Sequence, residues 1–175
     1  MSWTKVGSDI DGETTSDYSG WSVSLSSDGS VVAVGARDND GVNGGFSGHV
    51  RVYSWNGSVW TQRGADIDGE AASDQSGTSV SLSSDGSVVA VGAYLNDGNG
   101  TNSGHVRVYT WDGTVWTQRG ADIDGEAVSD QSGWRVSLSS DGTVVAVGAI
   151  LNDGVNGSDS GHVRVYKYST PPHTL

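Results

Sequence analysis

The sequence predicts an all-β fold, a β-propeller made of three four-stranded antiparallel blades per chain, with one blade split between the termini. The first observation is an internal repeat, because the chain is three near-copies of one unit, headed by Trp3, Trp60 and Trp116. The second is that each copy contains four short runs typical of strands. The third is the composition, since 27 Gly, 2 Pro and abundant Val, Ser and Asp favour short strands joined by tight turns.

The second copy shows the four runs most clearly, at residues 59–64, 77–84, 87–93 and 104–111. In the last run Val106 and Val108 face one side of the strand, whereas Arg107 and Tyr109 face the other. This alternation is typical of a half-buried strand. The third run is almost wholly apolar, as expected for a strand covered on both faces.

Tight-turn dipeptides connect two pairs of runs in each repeat. Asp-Gly joins the second run to the third at residues 28–29, 85–86 and 141–142. Asn56-Gly57 and Asp112-Gly113 join the fourth run to the following Trp run. Such dipeptides supply the positive φ angles of type I′ turns, so each joined pair is predicted to form a hairpin.

The connection after each Trp run, residues 65–76 in the second copy, contains no tight turn. We interpret it as the crossover to the next blade. Repeated four-stranded meanders with crossovers are typical of propellers. A β-solenoid or a β-sandwich is the structural alternative, although solenoid coils are usually shorter and lack paired tight hairpins.

The order of the strand-like runs near the two ends of the sequence predicts an assembly. The Trp run at 3–7 has no strand before it and the fourth run at 162–168 has no Trp run after it. Three blades are too few to close a ring, and an open arc exposes an apolar edge. We therefore expect a head-to-tail homodimer of six blades, in which each Trp3 strand completes the partner's last blade, with a nine-bladed trimer as the alternative.

The predicted domain organisation follows from the same repeat. Residues 1–168 are expected to form one three-repeat propeller segment. A tail at residues 169–175 is expected to be disordered. The repeats span about 2–58, 59–114 and 115–168.

The charge and the residues that are missing exclude several function classes. A formal net charge of −12 with nine Lys and Arg makes nucleic acid an unfavourable partner, and an anionic membrane surface likewise. The absence of Cys excludes disulfides and thiolate chemistry. No apolar run approaches the roughly 20 residues that span a bilayer. Residues 2–6 already match the repeat, so no signal peptide is expected in this chain.

The runs at residues 20–26 and 31–36, GWSVSLS and VVAVGA, resemble the FG-GAP repeat, and the likeness recurs at 77–93 and 133–149. That repeat builds the propeller of integrin α chains and of many microbial surface proteins. The resemblance implies a binding or adhesion scaffold and an extracellular or surface location. The family's calcium loop lies in the hairpin between these two runs, which is shortened here to Ser-Asp-Gly, so that site does not carry over.

The acidic connectors are the candidate metal ligands. Carboxylates at alternating positions followed by a turn Gly suit Ca²⁺, although the spacing lacks a third ligand. The alternative is that these side chains cap turns and no cofactor binds. The candidates are Asp9, Asp11, Glu13, Asp66, Asp68, Glu70, Asp122, Asp124 and Glu126.

The long loops between the third and fourth runs are the candidate ligand surface. Their polar groups suit a cation, a glycan or a protein ligand, and the alternative is ordinary solvated turns. Two Trp residues that the middle copy replaces by Thr78 are candidates for ligand contact, whereas repeat-matched Trp residues are more often packed between blades. The candidates are Asp38, Asp40, Asn96, Asp97, Asn152, Asp153, Trp21 and Trp134.

The sequence shows no catalytic signature. It has no nucleophile elbow, P-loop or dinucleotide fingerprint. His49, His105 and His162 occupy matching positions, and we expect each to pair with a carboxylate or carbonyl within its own blade. The predicted function is a non-enzymatic binding, adhesion or scaffold module that self-assembles into a ring and presents acidic loops. A purely structural repeat of a larger surface or particle protein is the alternative.

Overall fold

The computed structural model describes residues 1–169 and consists of β-strands and loops over that range. The predicted tail lies almost entirely outside the described residues. No helix in the described part is long and apolar enough to cross a membrane. The strands are β1 Ser22–Leu25, β2 Val31–Ala36, β3 His49–Trp55, β4 Trp60–Gln62, β5 Ile67–Asp68, β6 Ser79–Leu82, β7 Val88–Ala93, β8 His105–Trp111, β9 Trp116–Gln118, β10 Ile123–Asp124, β11 Ser132–Leu138, β12 Val144–Ala149 and β13 His162–Lys167.

The strands form three antiparallel sheets, which are the predicted blades. Blade 1 has the order β1-β2-β3-β4, with β5 also paired to β3. Blade 2 repeats this arrangement with β6 to β10, and blade 3 contains β11-β12-β13. The innermost strands β1, β6 and β11 contact one another in sequence, so the blades lie side by side around one centre. The propeller architecture predicted from the repeats is confirmed.

The outer strand of each complete blade is interrupted. In blade 1, β4 pairs with the end of β3 through Trp55 and Trp60, and β5 pairs with its start through His49 and Asp68. The connector therefore continues the outer strand before it crosses to the next blade. The sequence did not predict this second pairing, because Ile67–Asp68 is only two residues long and lies in a polar segment.

The predicted hairpins form, but the prediction of type I′ turns is wrong. That turn needs a positive φ at both central residues. In the structure Gly29, Gly86 and Gly142 have φ of +72°, +67° and +65°, whereas the preceding Asp residues do not have positive φ. The glycine amide donates to the carbonyl three residues earlier, as from Gly29 to Ser26 at 3.0 Å. Each loop therefore contains a four-residue turn that ends on a left-handed glycine.

The core lies between blades rather than within one. The first cluster packs Val50 and Val52 of blade 1 against Val80 and Leu82 of blade 2. The second packs Val106 of blade 2 against blade 3 in the same way. Each blade therefore has two different apolar faces, a leading face that covers the next blade and a trailing face that is covered by the previous one. This heterologous packing repeats at both junctions.

Two apolar faces remain open among the described residues. On the trailing face of blade 1, Val23 is 64% exposed and Leu25 60% exposed, although the equivalent Val80 and Leu82 are buried. On the leading face of blade 3, Val163 is 68% exposed and Val165 65% exposed. Within residues 1–169, blade 3 also has no strand paired to the outer edge of β13. The fold is an open arc of three blades.

Candidate functional site

Two matching side-chain clusters lie where blades 1 and 2 each meet the connectors on either side of them. Each contains a histidine at the start of the third strand of a blade, a glutamate from the connector before that blade, and an aspartate from the connector after it. The ligand atoms within each cluster lie within 4.8 Å of one another. The clusters are Glu13, His49 and Asp66, and Glu70, His105 and Asp122.

The histidine Nδ1 atom faces both carboxylates. His105 Nδ1 lies 3.7 Å from Glu70 Oε2 and 3.8 Å from Asp122 Oδ2. His49 Nδ1 lies 3.8 Å from Glu13 Oε2 and 3.6 Å from Asp66 Oδ2. These distances are longer than a hydrogen bond, which has its donor and acceptor at about 2.7–3.2 Å. The arrangement is therefore three convergent groups without a direct bond between them.

The histidines are buried. His105 is 1% exposed, and neither of its ring nitrogens has a hydrogen-bond partner in the described part of the protein. Burial lowers the pKa of His105, and the positive charge of Arg107 lowers it further. The imidazole is thus neutral at pH 7 and carries a lone pair on one nitrogen.

Neighbouring side chains orient the two carboxylates. Glu70 Oε1 faces Arg107 Nη1 at 3.4 Å, which leaves Oε2 towards the histidine. Gln118 Nε2 donates to Asp122 Oδ1 at 2.6 Å, which leaves Oδ2 towards the same histidine. Arg51 and Gln62 make the equivalent contacts in the first cluster. This glutamine recurs in the second and third Trp runs of the sequence, but its role follows only from the fold.

A third cluster is incomplete among residues 1–169. His162 Nδ1 lies 3.6 Å from Glu126 Oε2, and Arg164 faces Oε1 of the same glutamate at 3.5 Å. The missing member is the aspartate of a following connector. Its sequence equivalent is Asp9, which lies in the first connector and is bonded through Oδ1 to Lys5 at 3.2 Å.

The structure divides the predicted acidic ligands of one connector between the two clusters. Asp66 joins His49, whereas Glu70, four residues later, joins His105. Asp68 lines the same cleft of about 460 Å³ as the first cluster. Burial raises the pKa of Asp68, and the negative charge of Asp66 raises it further. Asp11 and Asp124 are the equivalents of Asp68 in the other two connectors. Their backbone carbonyls accept hydrogen bonds from Arg51 and Arg164, respectively.

A buried Asp–Asn pair ties each connector to a long loop. Asn96 Nδ2 donates to Asp74 Oδ2 at 2.9 Å, and Asn152 Nδ2 donates to Asp130 Oδ2 at 3.0 Å. Asn39 and Asp17 form the same pair in the first repeat. Two of the predicted ligand-loop residues, Asn96 and Asn152, are therefore buried in this pairing.

The loop carboxylates bond to groups in or beside their own loops. Asp40 accepts from the amide of Phe46 at 2.9 Å, and Asp97 from that of Asn102 at 2.8 Å. In the third repeat Asp153 accepts from the amide of Asp159. Asp38 accepts from the Gln75 side chain at 2.8 Å.

The two singled-out tryptophans lie in different surroundings. Trp21 is partly exposed and stacks under the Arg37 guanidinium, whose central carbon is 3.4 Å from the ring centroid. Trp134 meets Tyr94 of blade 2 edge to face at 4.6 Å. Trp134 therefore packs between blades, whereas Trp21, its equivalent in blade 1, has no preceding blade to pack against within residues 1–169.

A cavity of about 320 Å³ lies at the junction of blades 2 and 3, beside the open edge of β13. It is lined by residues that include Arg119, Gly120, Ile123, Leu138 and Tyr168. The equivalent space between blades 1 and 2 is occupied by the Trp116 ring, which packs on the first core cluster. Trp116 Nε1 donates to the carbonyl of Arg63 at 2.8 Å. The cavity thus has the shape and the acceptor of a tryptophan site.

Comparisons with known proteins agree with this architecture. The FG-GAP repeat model matches residues 66–109 and 121–166, together just over half of the chain. No curated protein matches the sequence. A solved structure of Kuenenia stuttgartiensis hydrazine synthase is similar in fold, with a TM-score of 0.51 and 13% identity over 91% of this chain. The chain spans 36% of that protein's chain, so the likeness concerns the fold alone. The repeated blades, their strand order and the matched motifs together place this chain in the FG-GAP repeat family.

Proposed function

We propose that this chain is a non-enzymatic scaffold module that completes its propeller by pairing head to tail with a second copy. The observation that carries the proposal is the tryptophan-shaped cavity beside β13. In the preceding blade the same space holds Trp116 of the outer strand. Trp3 is the sequence equivalent of Trp116, and its side chain is fully exposed.

The position of the first connector, which contains Asp9 and Asp11, supports this pairing. It lies against blade 1 in the same way as each later connector lies against the blade that follows it. Trp60 Nε1 donates to the carbonyl of Val6 at 3.0 Å, as Trp116 does to Arg63. Arg51 Nη2 donates to the carbonyl of Asp11 at 2.7 Å, as Arg107 does to Asp68. The N-terminal segment that contains Val6 and Asp11 therefore lies where an outer strand of a preceding blade would lie. In the proposed assembly, that preceding blade is blade 3 of the partner.

The two open faces support it as well. The leading face of blade 3 is equivalent to the face of blade 1 that covers Val80 and Leu82. The trailing face of blade 1 is equivalent to the face of blade 2 that blade 1 covers. Contact between the two open faces repeats an interface that the chain already uses twice. Burying Val163 and Val165 contributes about 1–2 kcal/mol for each side chain.

A dimer is the smallest closed assembly of this kind, with six blades and two identical junctions. Propellers typically contain four to eight blades, so six lies within the common range and the nine of a trimer lies outside it. Head-to-tail contacts of this type close into rings when the rotation per subunit permits.

The experiment is a sedimentation measurement of the mass of the wild-type chain and of the variant Val165→Asp. The wild type is expected at twice the chain mass. Val165→Asp is expected to be a folded monomer, because assembly buries its carboxylate without a partner. Val155→Asp is the control, since Val155 is fully exposed and its equivalent Val42 stays 85% exposed beside a junction that the chain already forms. A wild type that stays monomeric at high concentration, or a Val165→Asp variant that dimerises normally, would contradict the proposal.

A recognition role for the long loops rests on a separate observation. Val42, Phe46 and Val155 are exposed apolar side chains on these loops, which favours a protein ligand. The polar side chains of the same loops suit a glycan. A glycan array and a pull-down with Phe46→Ser as control test the two classes of ligand. Calcium binding by the connectors also stays a prediction.

A further inference from the structure

We propose that the blade junctions bind a first-row divalent transition metal ion, with Zn²⁺ as the probe. The ligands are one imidazole nitrogen and two carboxylates at each junction. Two sites are complete within one chain, at His49 and His105. A third is completed at His162 by Asp9 of a second copy, and this third site alone rests on the proposed function.

The donor set selects the class of metal. Imidazole suits Zn²⁺ and its neighbours in the first transition row, whereas Ca²⁺ prefers six to eight oxygen ligands. Three protein ligands with a fourth position left for water or another group is a common zinc arrangement. The two carboxylates balance the charge of the ion, and Arg107 shares only the outer oxygen of Glu70.

The distances suit a shared ion better than a direct contact. Ligand atoms bound to one zinc ion at about 2.0–2.1 Å lie about 3.3 Å apart in a tetrahedral site. The Nδ1–carboxylate distances at His105 are 3.7 and 3.8 Å, so small rotations of the acidic side chains bring all three atoms into range. The acidic side chains are 42% and 29% exposed, which leaves an entry path for the ion.

The buried histidine is an independent observation that points to a ligand. His105 is 1% exposed, and among residues 1–169 its Nδ1 atom has no hydrogen-bond partner although it faces two carboxylates. A buried polar atom without a partner is costly. An ion bound to Nδ1 removes that cost. Gln118 holds the far oxygen of Asp122, as outer partners of metal ligands commonly do.

The third site depends on a second copy. Glu126 and His162 already face each other at 3.6 Å. In the head-to-tail pairing, the partner's first connector follows the edge of β13, which places the partner's Asp9 where Asp66 stands beside His49. Lys5 bonds Oδ1 of Asp9, as Gln62 bonds Oδ1 of Asp66, so Oδ2 is left for the ion.

The experiment measures zinc stoichiometry on the full chain after removal of metal with a chelator. Zinc is titrated in competition with a chromogenic chelator, and the visible spectrum of bound Co²⁺ gives a second readout of geometry. We expect three equivalents per chain in the dimer. In the Val165→Asp monomer we expect two.

The test variants change one ligand oxygen to an amide and keep the acceptor for the neighbouring side chain. Asp66→Asn and Asp122→Asn are each expected to lose one equivalent. Asp9→Asn is expected to lose one equivalent in the dimer and none in the monomer. Asp112→Asn is the charge-matched control, because Asp112 lies in the β8–β9 hairpin, where blade 1 naturally has Asn56.

The outcomes separate the two proposals. Two equivalents in a wild-type monomer support the sites within the chain and overturn the assembly. A dimer that binds no zinc, or equal loss of zinc on adding Ca²⁺, overturns the metal proposal and leaves the assembly standing. A dimer that holds only two equivalents overturns the third site. Unchanged stoichiometry in the Asp66→Asn, Asp122→Asn double variant overturns the assignment of ligands.

Discussion

Truncation of Trp3 to alanine is the sharpest test of how the arc closes. In the described chain the Trp3 side chain is fully exposed, so the folded monomer loses nothing when it is removed. In the proposed assembly the same ring is expected to fill the cavity beside β13 and donate to the Arg119 carbonyl, as Trp116 donates to Arg63 within the chain. The variant is therefore expected to separate association from folding.

The magnitude follows from the equivalent contact within the chain. Truncating a packed Trp to Ala costs about 3–5 kcal/mol, and the partly buried state of Trp116 places its site at the lower end. A closed dimer contains two such junctions, so the variant is expected to lose about 6 kcal/mol of association free energy for each dimer. At 1.4 kcal/mol for each tenfold change, the dimer dissociation constant is expected to rise by about 10⁴-fold.

Sedimentation velocity over a range of concentrations measures this constant, and thermal unfolding of the dilute monomer checks the fold. Trp116→Ala is the matched variant within the chain. It is expected to lower the free energy of unfolding by about 3 kcal/mol and leave the contact between copies intact. If Trp3→Ala associates as tightly as the wild type, or if it unfolds at a lower temperature as a monomer, the equivalence of Trp3 and Trp116 is refuted.

Three further predictions concern stability. Val50→Ala is expected to lower the free energy of unfolding by about 2 kcal/mol, whereas the equivalent Val163→Ala in the monomer changes it by less than about 0.5 kcal/mol, as denaturant titration measures. Hydrogen bonds from neighbouring hydroxyl and amide groups hold the pKa of Asp141 at about 2, below its unfolded value of about 3.9. Ionised Asp141 therefore stabilises the folded state above about pH 4, and this stabilisation is lost as the pH falls through about 2. Asp141→Asn is expected to flatten the dependence of melting temperature on pH across that window. Gly77 and Gly57 both have positive φ, +86° and +97°, but a Cβ at Gly77 lies 2.5 Å from the His49 carbonyl oxygen, whereas one at Gly57 meets no described atom within 4 Å. Gly77→Ala is therefore expected to lower the melting temperature far more than Gly57→Ala.

Local sequence patterns were sufficient to predict the blades. The period of the repeats, the alternation in runs such as 104–111 and the Asp-Gly dipeptides are short-range signals. Each predicted pairing of second with third run, and of fourth run with the following Trp run, is present. The turn type was wrong because Asp-Gly also suits a loop in which only the glycine takes positive φ. The sequence can identify a hairpin without specifying its geometry.

The candidate site was only partly predictable. The sequence indicates the connector carboxylates as candidate metal ligands, but it groups them by connector, because it shows only which of them are neighbours along the chain. The fold divides them, since Asp66 continues the outer strand of blade 1 while Glu70 crosses to blade 2. The arginines that orient the glutamates gave no signal in the sequence beyond the alternation of a strand.

The sequence by itself determined the repeat, the four-stranded blade and the phase that leaves one outer strand without a sheet, because these depend on residues within about 60 positions of one another. Only the tertiary structure decided which faces are covered and that His105 meets acidic groups from two connectors. It also decided that Trp116 fills a space between blades 1 and 2, whereas the equivalent space beside β13 is a cavity. The physical reason is that these contacts form between blades. Their geometry is set by how one sheet packs on the next, which no single repeat encodes.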